Sequence, residues 1–285
     1  MLDFNDTRLA RPSADNPVIG RVYVPRLAIM GTNQDGTAAR RQTTAQFGET
    51  IEIYSHNNEY AHVRLVDDHY TGWAKLNQIG KIGEAPTHRV IAPMTFAFSA
   101  PDIKSAPKTT LFLNALLKAG KQEGSLIDCG EAGWVPEIHL MPIREHGSDP
   151  AKSAQGFYGA PYLWGGTDSF GVDCSGLTQM AFKACGLQLP RDSDMQFAWC
   201  GDHIPDWQSP GVLQRNDLVF WKGHVGIMLD SDTLLHANGY YMSTIYEPLA
   251  EAIERIGDMH GQPIGAKRIA LDGSNCAAWK QSIVL

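Results

Sequence analysis

Residues 173–185 read Asp-Cys-Ser-Gly-Leu-Thr-Gln-Met-Ala-Phe-Lys-Ala-Cys. Leu177, Met180, Ala181 and Ala184 recur at i, i+3, i+4 and i+7, so the spacing predicts a helix with one apolar face. Asp173 is a residue type that caps a helix N-terminus, and Gly186 one that ends a helix. Cys174 therefore opens the helix, where unpaired backbone N–H groups and the helix dipole favour an anion. A thiol in that place is expected to have a lowered pKa and a larger reactive thiolate fraction. The same N–H groups could hold the oxyanion of an acyl-transfer intermediate.

Working outward, a thiolate nucleophile needs a base, and the base needs a group to orient it. His224 lies in Gly223-His224-Val225-Gly226-Ile227-Met228-Leu229, at the expected start of a strand. His236 lies inside a second expected strand, Leu234-Leu235-His236-Ala237. A turn near Asp230-Ser231-Asp232 would pair the two strands as a hairpin. In that register the imidazoles come within hydrogen-bond reach, with His224 toward the thiol and His236 behind it. A Cys/His/His set can also bind zinc, but such sites usually add a carboxylate or a second thiolate at ligand spacing, which this sequence lacks, so neither metal nor cofactor is expected.

The chain has 285 residues, enough for roughly two or three units. Its 43% hydrophobic and 19% charged content is that of a globular protein, not a disordered one. With a net charge of -7 and scattered Lys and Arg, it has no basic face for nucleic acid or an anionic membrane. No run approaches the ~20 apolar residues of a membrane span, and the polar N-terminus lacks the apolar core of an export signal, so a cytoplasmic location is expected. Five cysteines, at 129, 174, 185, 200 and 276, form neither a disulfide framework nor a CxxC zinc site.

Residues 1–83 read as an irregular lead-in followed by short β segments, with Thr50–Tyr54 and Ala61–Val66 the clearest strands. Residues 81–86 resemble a linker. Residues 84–147 repeat the plan loosely: Gly72-Trp73-Ala74 and Gly133-Trp134-Val135 are each followed by a short segment ending in Ile or Leu, which suggests two copies of a small barrel. Residues 148–285 place a helix first and a sheet after, an α+β arrangement.

The stretches YLWGG at 162–166, DCSGL at 173–177, LPRDS at 189–193, DLVFWKGHVGIML at 217–229 and LLHANG at 234–239 resemble the NlpC/P60 family of papain-like cysteine peptidases. Five motifs in the family's order cover the C-terminal domain. The resemblance implies Cys174 as nucleophile, His224 as base and His236 as orienting residue. It also implies an antiparallel sheet behind the nucleophile helix and cleavage of peptidoglycan peptides between γ-D-glutamate and a diamino acid. Asn216 stands where the family often has glycine, and Asn is the next residue most tolerant of a left-handed backbone.

The N-terminal units resemble bacterial SH3 domains. Two SH3-like units before NlpC/P60 are similar to the γ-D-glutamyl-L-diamino acid endopeptidases that recycle murein peptides carrying a free N-terminal L-alanine. That subgroup's amine-binding residues fall on Glu49, Tyr70 and Asp173, where carboxylates would answer the ammonium. Ser175, Arg191 and Ser193 fall on positions lining the peptide site, with Arg191 as partner for a substrate carboxylate. Tyr162 and Trp164 would form aromatic walls. Two alternatives stay open: an N-acetylmuramoyl-L-alanine amidase or other papain-like acyl-transfer enzyme, and a non-catalytic wall-binding adaptor.

Overall fold

The computed structural model describes residues 6–12, 16–32, 38–277 and 279, and the chain divides between His146 and Gly147 into two compact units. The fold is α+β, with the longer helices in the second unit.

In the first unit, residues 18–81 build a seven-stranded antiparallel sheet. Its order is Ala38–Gln46, Arg26–Thr32, Thr71–Lys75, Tyr60–Leu65, Thr50–His56, Val18–Val22 and Ile79–Lys81. The strands expected at 50–54 and 61–66 are Thr50–His56 and Tyr60–Leu65, paired Ile51↔Leu65 through His56↔Ala61. Residues 88–142 follow with a five-stranded and a three-stranded sheet.

The Gly-Trp echo has a structural counterpart. Trp73 lies in Thr71–Lys75, which runs into the 3₁₀ turn Leu76–Gln78 and the strand Ile79–Lys81. Trp134 opens Trp134–Pro136, which runs into the 3₁₀ turn Glu137–His139 and the strand Leu140–Pro142. Phe47, in the turn after Ala38–Gln46, packs among Val90, Leu111, Leu117 and Val135. The N–H of Leu116 donates to the Phe47 carbonyl at 2.8 Å, so residues 18–81 and 88–142 share an apolar core.

The second unit centres on a six-stranded antiparallel sheet. Its order is Asp202–His203, Gly265–Arg268, Leu218–Trp221, His224–Met228, Thr233–Asn238 and Ser243–Pro248. Val219, Trp221, Met228 and Leu234 pack against Leu249, Ala252 and Ile256 of the Leu249–His260 helix. The alternate residues Leu218, Phe220, Val225, Ile227 and Leu235 are fully buried too, so both faces of the sheet are covered.

The helix expected from residue 174 runs Cys174–Ala184, capped by the Asp173 side chain accepting from the Gly176 N–H at 2.7 Å. Gly186 follows in the left-handed conformation, φ 87°. One feature departs from expectation: every residue of this helix except Lys183 is buried, not a single face. The helix packs against the Pro150–Gln155 helix on one side and the His224–Met228 and Thr233–Asn238 strands on another, so its polar residues Ser175, Thr178 and Gln179 are internal. They are met by internal partners. Thr178 Oγ1 lies 2.8 Å from Gln196 Oε1, and Gln179 Nε2 donates to the Leu189 carbonyl at 3.1 Å.

Candidate active site

Two features of the second unit position the histidines. Lys222 and Gly223 form a tight connection between Leu218–Trp221 and His224–Met228, with Gly223 at φ 76°. His224 is therefore the first residue of its strand. The Thr233–Asn238 strand pairs with it through Ile227↔Leu235 and Met228↔Leu234, after a turn in which Asp230 Oδ1 accepts the N–H groups of Asp232 and Thr233 at 2.9 and 2.7 Å. In this register Gly226 stands between the two histidines on one face of the sheet. Asn216, at φ 77°, is left-handed as its identity suggested, and its Oδ1 accepts the Ala151 N–H at 2.7 Å.

The imidazoles meet. His224 Nε2 lies 2.9 Å from His236 Nδ1, and the rings cross at 65°. His236 is 0% exposed, and its Nε2 lies 2.9 Å from Glu247 Oε2. Asn238 flanks the same nitrogen at 3.1 Å. Arg255 clasps Glu247 with two hydrogen bonds, Nε to Oε1 at 2.9 Å and Nη2 to Oε2 at 2.6 Å. Burial lowers the pKa of His236, partly offset by Glu247, so its ring is neutral near pH 7. Contacts with His236 and Arg255 hold the Glu247 carboxyl down at about 2 against the opposing effect of burial.

These partners set the tautomers. A carboxylate only accepts, so His236 Nε2 carries the proton and Nδ1 is left as an acceptor. That acceptor takes the Nε2–H of His224, which leaves the lone pair of a neutral His224 on Nδ1. Glu247 and Arg255 escaped the sequence reading. Glu247 lies beyond the strands expected from the sequence, and whether its side chain faces His236 depends on the register of the Ser243–Pro248 strand.

Cys174 is 6% exposed. Its Sγ lies 4.0 Å from the Gly223 carbonyl, and the backbone N–H groups of Val225 and Ser175 point at the sulfur. The thiol thus lies against the residues on either side of His224 in the chain. The expected lowered pKa is overturned. Burial pushes the Cys174 thiol up to about 12, and the Asp173 charge pushes the same way. The two N–H groups and Arg191 pull down but do not prevail.

Asp173 and Arg191 form a buried, bidentate ion pair. Arg191 is 0% exposed, with Nη1 2.9 Å from Asp173 Oδ1 and Nη2 2.7 Å from Oδ2. Oδ1 also accepts the Gly176 N–H, and Oδ2 the Gly165 N–H at 2.7 Å. Nη1 reaches Ser175 Oγ at 3.0 Å. Arg191, expected to hold a substrate carboxylate, is instead turned inward, locking the start of the Cys174–Ala184 helix. Ser193 begins the Ser193–Trp199 helix and is buried.

Tyr162 is half-buried and Trp164 exposed, and both line a cleft of about 570 Å³ together with His224. Burial raises the pKa of the Tyr162 hydroxyl, and the charges of Cys174 and Asp173 raise it further, so it stays a neutral donor. Glu49 and Tyr70 belong to the first unit. Both are buried there, with Glu49 Oε2 accepting the Gln46 N–H at 3.1 Å and the Tyr70 N–H donating to Asp68 at 3.0 Å. The described residues hold no cluster of three or more His, Cys, Asp or Glu fit for a metal ion.

Residues 159–254, which contain Cys174, His224, His236 and Glu247, match the NlpC/P60 family, and residues 34–79 match the bacterial dipeptidyl-peptidase SH3 domain. The chain carries an NlpC/P60 domain behind a bacterial SH3 domain. It is 28% identical over 219 residues to the gamma-D-glutamyl-L-lysine dipeptidyl-peptidase of Bacillus subtilis, covering 69% of this chain and 72% of that one. The Bacillus cereus protein of the same name is 24% identical over 262 residues, covering 79% and 76%. A crystal structure of an NlpC/P60 family protein from Bacillus cereus shares the fold, with a TM-score of 0.73 at 20% identity over 88% of this chain and 99% of that one.

Proposed function

We propose that this NlpC/P60 protein is a cysteine endopeptidase that hydrolyses the γ-D-glutamyl-L-diamino acid bond of peptidoglycan-derived peptides with a free N-terminal L-alanine. The observation that carries this reading is the hydrogen-bonded line from His224 through His236 to Glu247, whose first ring follows directly on the carbonyl against the Cys174 sulfur. The names of the two Bacillus relatives support the substrate class.

The geometry supports ordinary thiol acyl transfer. With Nε2 committed to His236, the His224 ring has Nδ1 to receive the Cys174 proton. A thiol at about 12 ionises poorly alone, so proton transfer to His224 accompanies attack on the γ-glutamyl carbonyl. Backbone N–H groups at the helix start and the neutral Tyr162 hydroxyl are donors for the oxyanion. His224 then protonates the departing amine, and water, deprotonated by the same ring, releases the acyl group. Asp173 remains an assignment for the substrate ammonium, while Arg191 serves as its positioning residue. Murein-peptide recycling in the cytoplasm goes with this reading. Among the described residues, no helix is long and apolar enough to cross a membrane.

The test is incubation with L-Ala-γ-D-Glu-meso-diaminopimelate and its N-acetylated form, read by mass spectrometry. Release of the diamino acid from the free-amine peptide alone is expected. Cleavage of both would remove the amine requirement, and cleavage of neither would overturn the peptidase reading.

A further inference from the structure

The cleft beside His224 has a one-sided charge. Its lining includes two permanently charged side chains, Lys222 and Arg255, and no Asp or Glu. In a chain of net charge -7 this is a local reversal of sign. Arg255 is also fixed in place. Its Nε and Nη2 hold Glu247, and its guanidinium lies over the rings of Tyr240 and Tyr241, 4.9 and 5.2 Å from their centroids. That leaves Nη1, which among the described residues has no hydrogen-bond partner. Glu247 offsets the Arg255 charge in sum. The pair is nevertheless oriented, because the carboxylate is buried while the arginine lines the cleft. Lys222 is exposed and, among the described residues, in no ion pair. It gives the cleft its net positive charge.

We propose that this cleft is the subsite of the leaving residue and takes its free α-carboxylate between Lys222 and Arg255 Nη1. The inference rests on the peptidase reading above. The departing amine takes its proton from His224, so the residue that departs occupies the part of the cleft that His224 shares with these two cations. A planar guanidinium held by Glu247 and two rings needs little further ordering to receive a carboxylate, and a flexible lysine beside it completes the charge. The two groups at opposite ends of the substrate are then read by opposite charges: the N-terminal ammonium by the acid Asp173, the C-terminal carboxylate by this cationic cleft. A peptide whose diamino acid is extended through its α-carboxyl loses the anion and is a poorer substrate.

The experiment compares L-Ala-γ-D-Glu-L-Lys with its C-terminal carboxamide, reading kcat and KM for each. The wild-type protein is expected to favour the carboxylate by about tenfold or more in kcat/KM, chiefly through KM, with the ratio shrinking as salt is raised. Lys222→Gln should bring the ratio toward one, Lys222→Glu should invert it, and Lys222→Arg should keep it. Equal cleavage of both peptides by the wild type would overturn the subsite and leave the peptidase reading standing. Cleavage of neither would overturn the reading on which it rests. A ratio unmoved by Lys222→Glu would also overturn the subsite.

Discussion

Glu247 Oε2 lies 2.9 Å from His236 Nε2, and this contact determines which nitrogen of His224 is left as an acceptor. The carboxylate is an obligatory acceptor, so the proton order along the line is fixed from its far end. Glu247→Gln replaces that acceptor with an amide able to present either group, and His236 can then flip its tautomer. The expected outcome is a fall in kcat of at least about tenfold, equivalent to ~1.4 kcal/mol, with KM nearly unchanged. Glu247→Asp should recover part of it. Steady-state kinetics with the free-amine tripeptide checks this, and an unchanged kcat would remove Glu247 from the positioning set.

The same pair makes stability pH-dependent in a definite direction. His236 is buried with a lowered pKa, so between its native value and the ordinary 6.5 the unfolded chain binds the additional proton. Stability therefore falls as pH drops below about 6.5. Glu247 acts in the same sense over a lower window. Its stabilisation is present above its ordinary 4.5 and is lost as pH falls toward about 2. Urea unfolding at a series of pH values should show midpoints declining from pH 7 to 4, with a shallower decline in His236→Asn. A midpoint rising on acidification would contradict the assignment.

The Cys174–Ala184 helix and the histidine hairpin were legible because their signals are local. Asp173 and Gly186 bracket the helix, and the turn acids at 230 and 232 set two short strands side by side. What lay beyond the sequence depends on long-range packing. Glu247 faces His236 only because the Ser243–Pro248 strand pairs in one register, and a slip of one residue would turn it to the other face. The Asp173–Arg191 clasp joins residues eighteen apart through a loop and a helix start, and it reversed the role expected of Arg191. The thiol was misjudged for a related reason. Helix-end electrostatics can be read from sequence, whereas the burial that outweighs them arises from everything packed around Cys174.

That burial has a kinetic consequence. A thiol at about 12 is ionised to roughly one part in 10⁵ at pH 7 unless its proton is taken by a partner. In the wild-type protein, alkylation of Cys174 by iodoacetamide should therefore depend on His224. His224→Ala should slow labelling near neutral pH by at least about tenfold, and its rate should keep climbing into the alkaline range. Labelling followed by intact mass, with Cys174→Ala as the unlabelled reference for this site, checks it. Equal rates in wild type and His224→Ala would disconnect the two residues.

Arg191 is a stability residue by the same geometry. Removing it strands the buried Asp173 carboxylate, which then keeps only backbone N–H groups and Ser175 for company. Losing one partner of a buried ion pair costs about 3–5 kcal/mol. Arg191→Met should lower the thermal midpoint of the second unit by several degrees or more. Asp173→Asn with Arg191→Met should lower it less than Arg191→Met alone, because Asn still caps the helix and leaves no bare charge. Differential scanning calorimetry of the full chain measures both, and a double variant less stable than the single would show that the pair's worth lies elsewhere.

Gly176 tests how tightly Cys174 is placed. In an exposed helix, alanine is preferred over glycine by roughly 0.5–1 kcal/mol. Here a Cβ on residue 176 would collide with the carbonyl oxygen of Gly166 and sit 3.0 Å from Asp173 Oδ1. Neither can yield easily. Gly166 is held because its own Cβ position is filled by the Gly171 backbone, and Asp173 is clasped by Arg191. The first turn of the helix must then shift, carrying Cys174 with it. Gly176→Ala should lose about 1–3 kcal/mol of stability, against the helix-propensity trend, and a displacement near 1 Å would reduce kcat by roughly 100-fold. Calorimetry and tripeptide turnover read the two effects separately. A more stable and fully active Gly176→Ala protein would mean that the Gly165–Gly166 loop gives way, and that the start of the helix is not what fixes the sulfur.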